Sequence, residues 1–312
     1  LVTGVQTCAL PISILGMLVT ATYNVVDAMF IGRLSTEATA GIGISFAYMT
    51  FIQAIGFFFG HGSGNYISHQ LGARNYDKAV RMASVGFACP MLIGSVAAVV
   101  ALLLLHPLVV LLGATPTVAP YAADYLRYIV IATPFMMTTF TLNNQLRLQG
   151  NAHIGTIGIA SGAILNIALD PLLIFVLDMG VAGASAATAI SQCVSWLLLL
   201  WGTHRRDSVG INIRQMRPSL FLLREIARCG LPSLCRQVLL CLGAVCLNYT
   251  AVKYAAPGHE DSTLAAFSVV TRAMMFAFSV VLGLCQGFQP VCGFNYGARR
   301  FDRVRQSFLF TI

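Results

Sequence analysis

The sequence predicts an all-α integral membrane protein, on three observations. Of its 312 residues, 57% are hydrophobic and only 10% are charged, whereas a soluble domain carries about 25% charged residues. Mean hydropathy is +0.78. Several apolar stretches reach the roughly 20 residues that a helix needs to cross a bilayer. The net charge of +8 would suit nucleic acid if it were gathered on one face. The cations instead fall between the apolar stretches, so a lipid bilayer is the expected surrounding and no nucleic-acid partner is expected.

Eight helical spans follow in order: 14–32, 38–66, 82–112, 121–145, 155–177, 181–202, 229–254 and 263–293. The cations gather after alternate spans. Arg74, Lys78 and Arg81 follow the second, and Arg147 follows the fourth. Arg205, Arg206, Arg214, Arg217, Arg224 and Arg228 follow the sixth, and Arg299, Arg300, Arg303 and Arg305 follow the eighth. The opposite connections carry only Arg33, Arg127 and Lys253. Basic connections stay in the cytoplasm, which predicts a multi-pass protein of the cell (inner) membrane with a cytoplasmic N-terminus.

The chain divides accordingly. Residues 13–203 form an expected six-helix lobe, 204–228 a basic cytoplasmic linker, and 229–312 two helices of a second lobe with the start of a third. Residues 1–12 lack the basic start of a secretory signal. They resemble the conceptual translation of a sequencing adapter and are expected to be non-native. The apolar run from Phe308 to Ile312 stops abruptly, so the chain is read as a fragment.

Two carboxylates, Asp27 and Asp170, lie inside apolar stretches, and the remaining acids lie at or beyond stretch ends. A mid-membrane Asp costs roughly 2.5–3.5 kcal/mol on insertion scales, which marks both as functional candidates. Asn166 precedes Asp170 by one helical turn, stacking the two on one face. Pro171 removes an amide donor just past Asp170 and frees a carbonyl one turn back. Carboxylate, amide and hydroxyl oxygens suit Na+. Two close carboxylates in an apolar site equally suit H+, because burial and mutual repulsion oppose a double negative charge. The nine cysteines form no C-x-x-C pair and read as packing residues. His61, His69, His106 and His153 read as polar-interface residues near span ends. Arg236 and Arg272 lie inside spans: Arg236 can snorkel, whereas Arg272 lies nearer the outer face, where it would meet an acid or a substrate. Met136, Met137, Phe140, Met274, Met275, Phe276 and Phe278 suit either a drug cavity or lipid-facing packing.

An internal repeat organises the chain. Gln70-Leu71-Gly72-Ala73-Arg74-Asn75-Tyr76-Asp77 and Asn295-Tyr296-Gly297-Ala298-Arg299-Arg300-Phe301-Asp302 lie 225 residues apart, with Gly62 and Gly287 in register at the same offset. Six spans separate the copies, which gives two parallel six-helix halves, and repeats around a midplane site mark transporters.

At these positions the chain resembles the multidrug and toxic compound extrusion (MATE) family, over residues from about Gly16 to the end. The motifs run in order. Tyr23-Asn24-Val25-Val26-Asp27 and Phe30-Ile31-Gly32 come first, then Gln70-Leu71-Gly72-Ala73 and Arg147-Leu148-Gln149-Gly150-Asn151. Asn166-Ile167-Ala168-Leu169-Asp170-Pro171, Gly183-Ala184 with Thr188, Gly287-Phe288-Gln289-Pro290 and Gly293-Phe294-Asn295-Tyr296-Gly297-Ala298 complete the set. The resemblance implies a two-lobed antiporter that exports organic cations and other amphipathic small molecules in exchange for H+ or Na+. It implies no further cofactor and a monomer. By residue-type match it places the coupling cation, Na+ included, at Asp27, Asn166, Asp170 and Thr188, with Tyr23 and Asn24 in support. Arg272, Met275 and Gln289 fall to the substrate cavity. A branch of the family that uses an acid within the seventh helix does not fit, since residues 230–252 contain none.

Three rivals remain, of which a receptor or channel does not explain the 225-residue repeat. A flippase of the same superfamily for a lipid-linked saccharide calls for a strongly cationic cavity, and only Arg236 and Arg272 are available within spans. An intramembrane enzyme calls for a catalytic set such as H-E-x-x-H, which is absent.

Overall fold

The computed structural model describes residues 11, 12, 14, 16, 18, 19, 36–114, 116–205, 208–254 and 260–311. The first expected span is therefore outside the described residues but for scattered positions, and the suspected non-native tail almost entirely so. Helices follow as α1 (Thr36–Gly72), α2 (Tyr76–Leu103), α3 (Leu105–Leu111), α4 (Ala119–Leu148), α5 (Ala152–Pro171), α6 (Gly180–Thr203), α7 (Leu220–Lys253), α8 (Glu260–Gly297) and α9 (Phe301–Thr311). A π turn, Leu172–Val176, extends α5, and no strand occurs among the described residues.

Among those residues, five helices are long and apolar enough to cross a membrane, those containing Gly41–Gly72, Tyr76–Leu103, Ala152–Val176, Gly180–Thr203 and Ala277–Gly297. The expected fourth span is present as α4 but is more polar, because it is the hub of the bundle rather than a lipid-facing wall. It packs on α1, α2, α5 and α6. Its Thr133, Thr138, Thr141, Asn144 and Gln145 are buried against protein, where they find hydrogen bonds. The outer surface is apolar in compensation: Leu92, Val96, Val99 and Leu103 of α2 and Leu239 and Leu242 of α7 are exposed, as expected of side chains that meet lipid. The described cysteines are all free thiols.

Two boundaries differ from the expected ones. The span read as 82–112 is broken into α2 and α3 at Leu104, which has φ −107° and ψ 28°. Pro107 supplies the cause, since it cannot donate to the Leu103 carbonyl and its ring collides with that group. At the other boundary α7 begins at Leu220, well before Cys229, because Ser219 caps it. Leu222 N–H donates to Ser219 Oγ at 3.3 Å and Leu223 N–H to Ser219 O at 3.0 Å. The amphipathic first turns carry Arg224, Glu225 and Arg228 on exposed or half-buried positions while burying Leu222 and Ile226.

The repeat is visible atom by atom. Arg74 (φ 61°) and Arg299 (φ 56°) both take the left-handed conformation that ends a helix. Asn75 N–H closes on Gln70 O at 2.8 Å, and its counterpart Arg300 N–H closes on Asn295 O at 2.9 Å, the six-to-one bond of a Schellman cap. Where α1 and α8 end, they cross on small residues. Gly72 lies against the Phe294 carbonyl with no room for a Cβ, and Gly297 lies against the His69 carbonyl in the same way. His69 and Phe294 are themselves equivalent in the repeat, so the crossing is reciprocal about a local two-fold axis.

Candidate functional site

The site on the first bundle is built by the packing of α5 on α6. Gly158 faces Leu199, and Gly162 faces Ser195 and the Ser191 carbonyl. Glycine at both positions lets the two backbones approach closely, the usual device of helix pairs in membranes. One turn beyond Gly162, that closeness brings Asn166 to Thr188. The Asn166 Nδ2 donates to Asp170 Oδ1 at 3.2 Å and lies 3.4 Å from Thr188 Oγ1. Thr188 Oγ1 itself donates to the Ala184 carbonyl at 3.1 Å, which aims a lone pair at the amide. Asn166 and Thr188 are 2% exposed and Asp170 is 0% exposed.

The backbone beside this triad is irregular, as Pro171 leads one to expect. The helix continues through Pro171 and then widens into the π turn, with Leu177 N–H reaching Leu172 O at 2.9 Å. Gly183 of α6 lies against the Leu173 carbonyl with no room for a Cβ, so the turn is clamped against the following helix. The structure thus brings together Asn166, Asp170 and Thr188. Asp27, Tyr23 and Asn24 lie outside the described residues.

The triad presents oxygens of three kinds, carboxylate, amide and hydroxyl, in a water-poor interior. Asn166 Oδ1 has no hydrogen-bond partner among the described residues, which leaves an acceptor for a proton donor or a cation. Such a set suits a small hard cation or a proton. It does not suit a soft transition metal, and no cluster of His, Cys, Asp and Glu able to hold one occurs among the described residues.

The expected substrate-cavity residues lie on α8. Gln289 is half-buried, and its Oε1 has no partner among the described residues. The side chains of Arg272 and Met275 lie outside the described residues. An open cleft of about 400 Å3 at the basic end is lined by Lys78, Arg81, Arg214 and Arg217 with Asp77, the wrong sign for an organic cation.

Sequence reasoning missed a second polar cluster. His61, read as an interface residue, is 6% exposed, and Arg147, read as a loop cation, is 5% exposed. Arg147 donates to Asn144 Oδ1 of α4, to His61 Nε2 of α1 at 3.3 Å and to Gln286 Oε1 of α8. His61 Nδ1 faces the Phe57 carbonyl at 3.1 Å and so carries the ring proton, which leaves Nε2 as the acceptor toward Arg147. Arg236 lies nearby with its guanidinium carbon 6.0 Å from the Phe57 ring centre. The signal was the repeat itself, since His61 and Gln286 are equivalent positions in it. The same motif orders the connection to α7. Gln149 Oε1 accepts from Val209 N–H at 2.8 Å and Asn151 Nδ2 donates to Ser208 Oγ at 2.8 Å, while Gly150 turns the chain at φ 95°.

Comparison with known proteins agrees with the all-α membrane fold. The MatE family model matches residues 13–172 and 240–312. The multidrug export protein MepA of Staphylococcus haemolyticus is 28% identical over 290 residues, 92% of this chain and 63% of that protein. MepA of Staphylococcus aureus strain MRSA252 is 29% identical over the same shares. The chain thus spans 63% of the length of these relatives. Among solved structures, MATE in the straight conformation superposes with a TM-score of 0.91 at 26% identity, over 98% of this chain and 68% of that one. An outward-facing multidrug resistance MATE family transporter of the MOP superfamily matches with the same values.

Proposed function

Because the chain belongs to the MatE family, we propose that the protein it represents exports drugs, organic cations or other amphipathic small molecules from the cell, in exchange for H+ or Na+. The single observation that carries the coupling half of this reading is the buried triad Asn166–Asp170–Thr188. Asp27 is assigned to the same cation site, with Tyr23 and Asn24 in supporting roles and Na+ or H+ as the coupling ion. Helices α1–α6 belong to the first lobe (13–203) and α7–α9 to the second, which α7 opens at Leu220, so that the segment joining the lobes is shorter than the expected 204–228 linker. The basic end faces the cytoplasm, and the protein works as a monomer in the cell membrane. The export half rests on what the matched relatives are named for, multidrug export.

Neutralising the triad by a bound cation or proton removes a mid-membrane charge and favours a different packing of the first lobe. Drug and cation then exchange because each prefers a different state, and each shifts the equilibrium only by its differential affinity. A cation moving down 100 mV gains about 2.3 kcal/mol, somewhat under two decades of drug gradient at about 1.36 kcal/mol per decade. Arg272, Met275 and Gln289 line the substrate path in this account. The flippase alternative draws on cations between the bundles, but Arg147 is already engaged by Asn144, His61 and Gln286 and Arg236 lies near Phe57, so drug export is the better reading.

The test is drug resistance in cells lacking other pumps. In the full-length gene product, Asp27→Asn and Asp170→Asn should each reduce resistance to the empty-vector level while membrane abundance stays near wild type. Wild-type resistance in both variants would remove the coupling site.

A further inference from the structure

The buried Arg147 has a placement that coupling does not explain. It sits in the last turn of α4, within the first bundle, yet it donates across the bundle boundary to Gln286 of α8. On its own side it is held by Asn144 and by His61. His61 and Gln286 are repeat equivalents, 225 residues apart, so one guanidinium bridges the same position in both halves near the local two-fold axis. Among the described residues it has no carboxylate partner, and its Nε has no hydrogen-bond partner.

The surroundings show what that bridge secures. At this same end the halves meet through backbone rather than through long side chains. Gly62 lies against the Ile226 carbonyl, Gly230 against the Phe58 carbonyl, and Gly72 and Gly297 make the reciprocal crossing. Gly293 lies against Ser68, whose Oγ is 3.4 Å from the Pro290 carbonyl. Such surfaces close flush but hold mainly by short-range packing, which loses roughly a quarter to a half of its attraction once they part by about 0.5–1 Å. A charged hydrogen bond is stronger and more directional than a neutral one. In a dry interface it is the contact that most sharply distinguishes closed from open.

We propose that Arg147 is a positioning residue that latches the two halves together at the basic end, with His61 and Asn144 holding it ready and Gln286 as the strike. This rests on the export reading, in which that end must open for substrate to enter from the cytoplasm. A neutral glutamine makes a releasable strike: it satisfies part of the guanidinium without the full pairing that a carboxylate would give. When the end opens, Arg147 keeps Asn144 and His61 and gives up only the bond to α8.

The latch is read out without transport. In the full-length gene product with its native cysteines replaced, His69→Cys and Tyr296→Cys place thiols on either side of the crossing, where the native rings lie 5.1 Å apart. A short bis-thiol-reactive linker then reports the closed fraction in lipid nanodiscs, with no substrate and no gradient. Gln286→Leu removes the strike and should lower the closed-to-open ratio by about ten-fold, the weight of one hydrogen bond to a charged group. Gln286→Glu should raise cross-linking above wild type, because a carboxylate grips the guanidinium more firmly, and should slow drug export. Arg147→Met should match Gln286→Leu. Opposite shifts in the two Gln286 variants support the latch, because a merely structural glutamine would be disturbed in one direction by both. Shifts in the same direction, or none, overturn it. Since cross-linking needs no transport, failure of the latch and failure of the export reading are separate results.

Discussion

Thr188 gives the proposed cation site a neutral oxygen and Asp170 gives it charge, so the loss of each has a different cost. Thr188→Ala removes one acceptor for Asn166, a neutral contact worth about 1 kcal/mol. The expected outcome is an approximately five-fold rise in the coupling-ion concentration for half-maximal export, with the maximal rate nearly unchanged. Thr188→Ser keeps the oxygen and should stay near wild type. Equal impairment of both variants in a transport titration would show that the methyl group, not the hydroxyl, matters there. Asn166 and Asp170 were legible from sequence because one helical turn separates them and carboxylates are rare in apolar stretches. Thr188 was reached only through the family resemblance, since a lone threonine in an apolar helix has no spacing that marks it. Arg147 and His61 were misread for a related reason. Each lies near the end of an expected span, where solvation is the ordinary expectation, and the packing of α1, α4 and α8 together buries them.

Helix ends repeat the same lesson one level up. The Gln-Leu-Gly-Ala-Arg and Asn-Tyr-Gly-Ala-Arg segments end α1 and α8 with the same cap, and both arginines stand in the left-handed region. That conformation costs an L-residue roughly 1–2 kcal/mol, and a β-branched side chain tolerates it least. Arg74→Gly should therefore hold or raise the thermal midpoint of the purified protein, whereas Arg74→Val should lower it. A midpoint for the valine variant above that of glycine would contradict the cap. The repeat could be read from sequence because its register is unbroken. The division of 82–112 at Leu104 was not, since Pro107 lies well inside an apolar run whose hydropathy does not register the lost amide. The early start of α7 was hidden because its first turns are amphipathic, with Arg224, Glu225 and Arg228 breaking up the apolar run.

For the whole molecule, the all-α membrane fold follows from bulk composition, and the match to MATE structures at a TM-score of 0.91 agrees with it. Composition overstates how many helices face lipid, however. The bundle's central helix, α4, hides threonine and amide groups from the bilayer by burying them in protein, so its sequence is more polar than its position. The buried triad in the first bundle and the closure between the two halves meet in one proposal, that Asp170 converts an ion gradient into drug movement. The most direct measurement reconstitutes the full-length gene product in liposomes loaded with a fluorescent organic cation and imposes an H+ or Na+ gradient. The wild type should move the dye against its own gradient when one of these ions is supplied. Asp170→Asn should bind the dye normally yet give no gradient-driven movement. Uphill transport by Asp170→Asn at the wild-type rate would contradict the account.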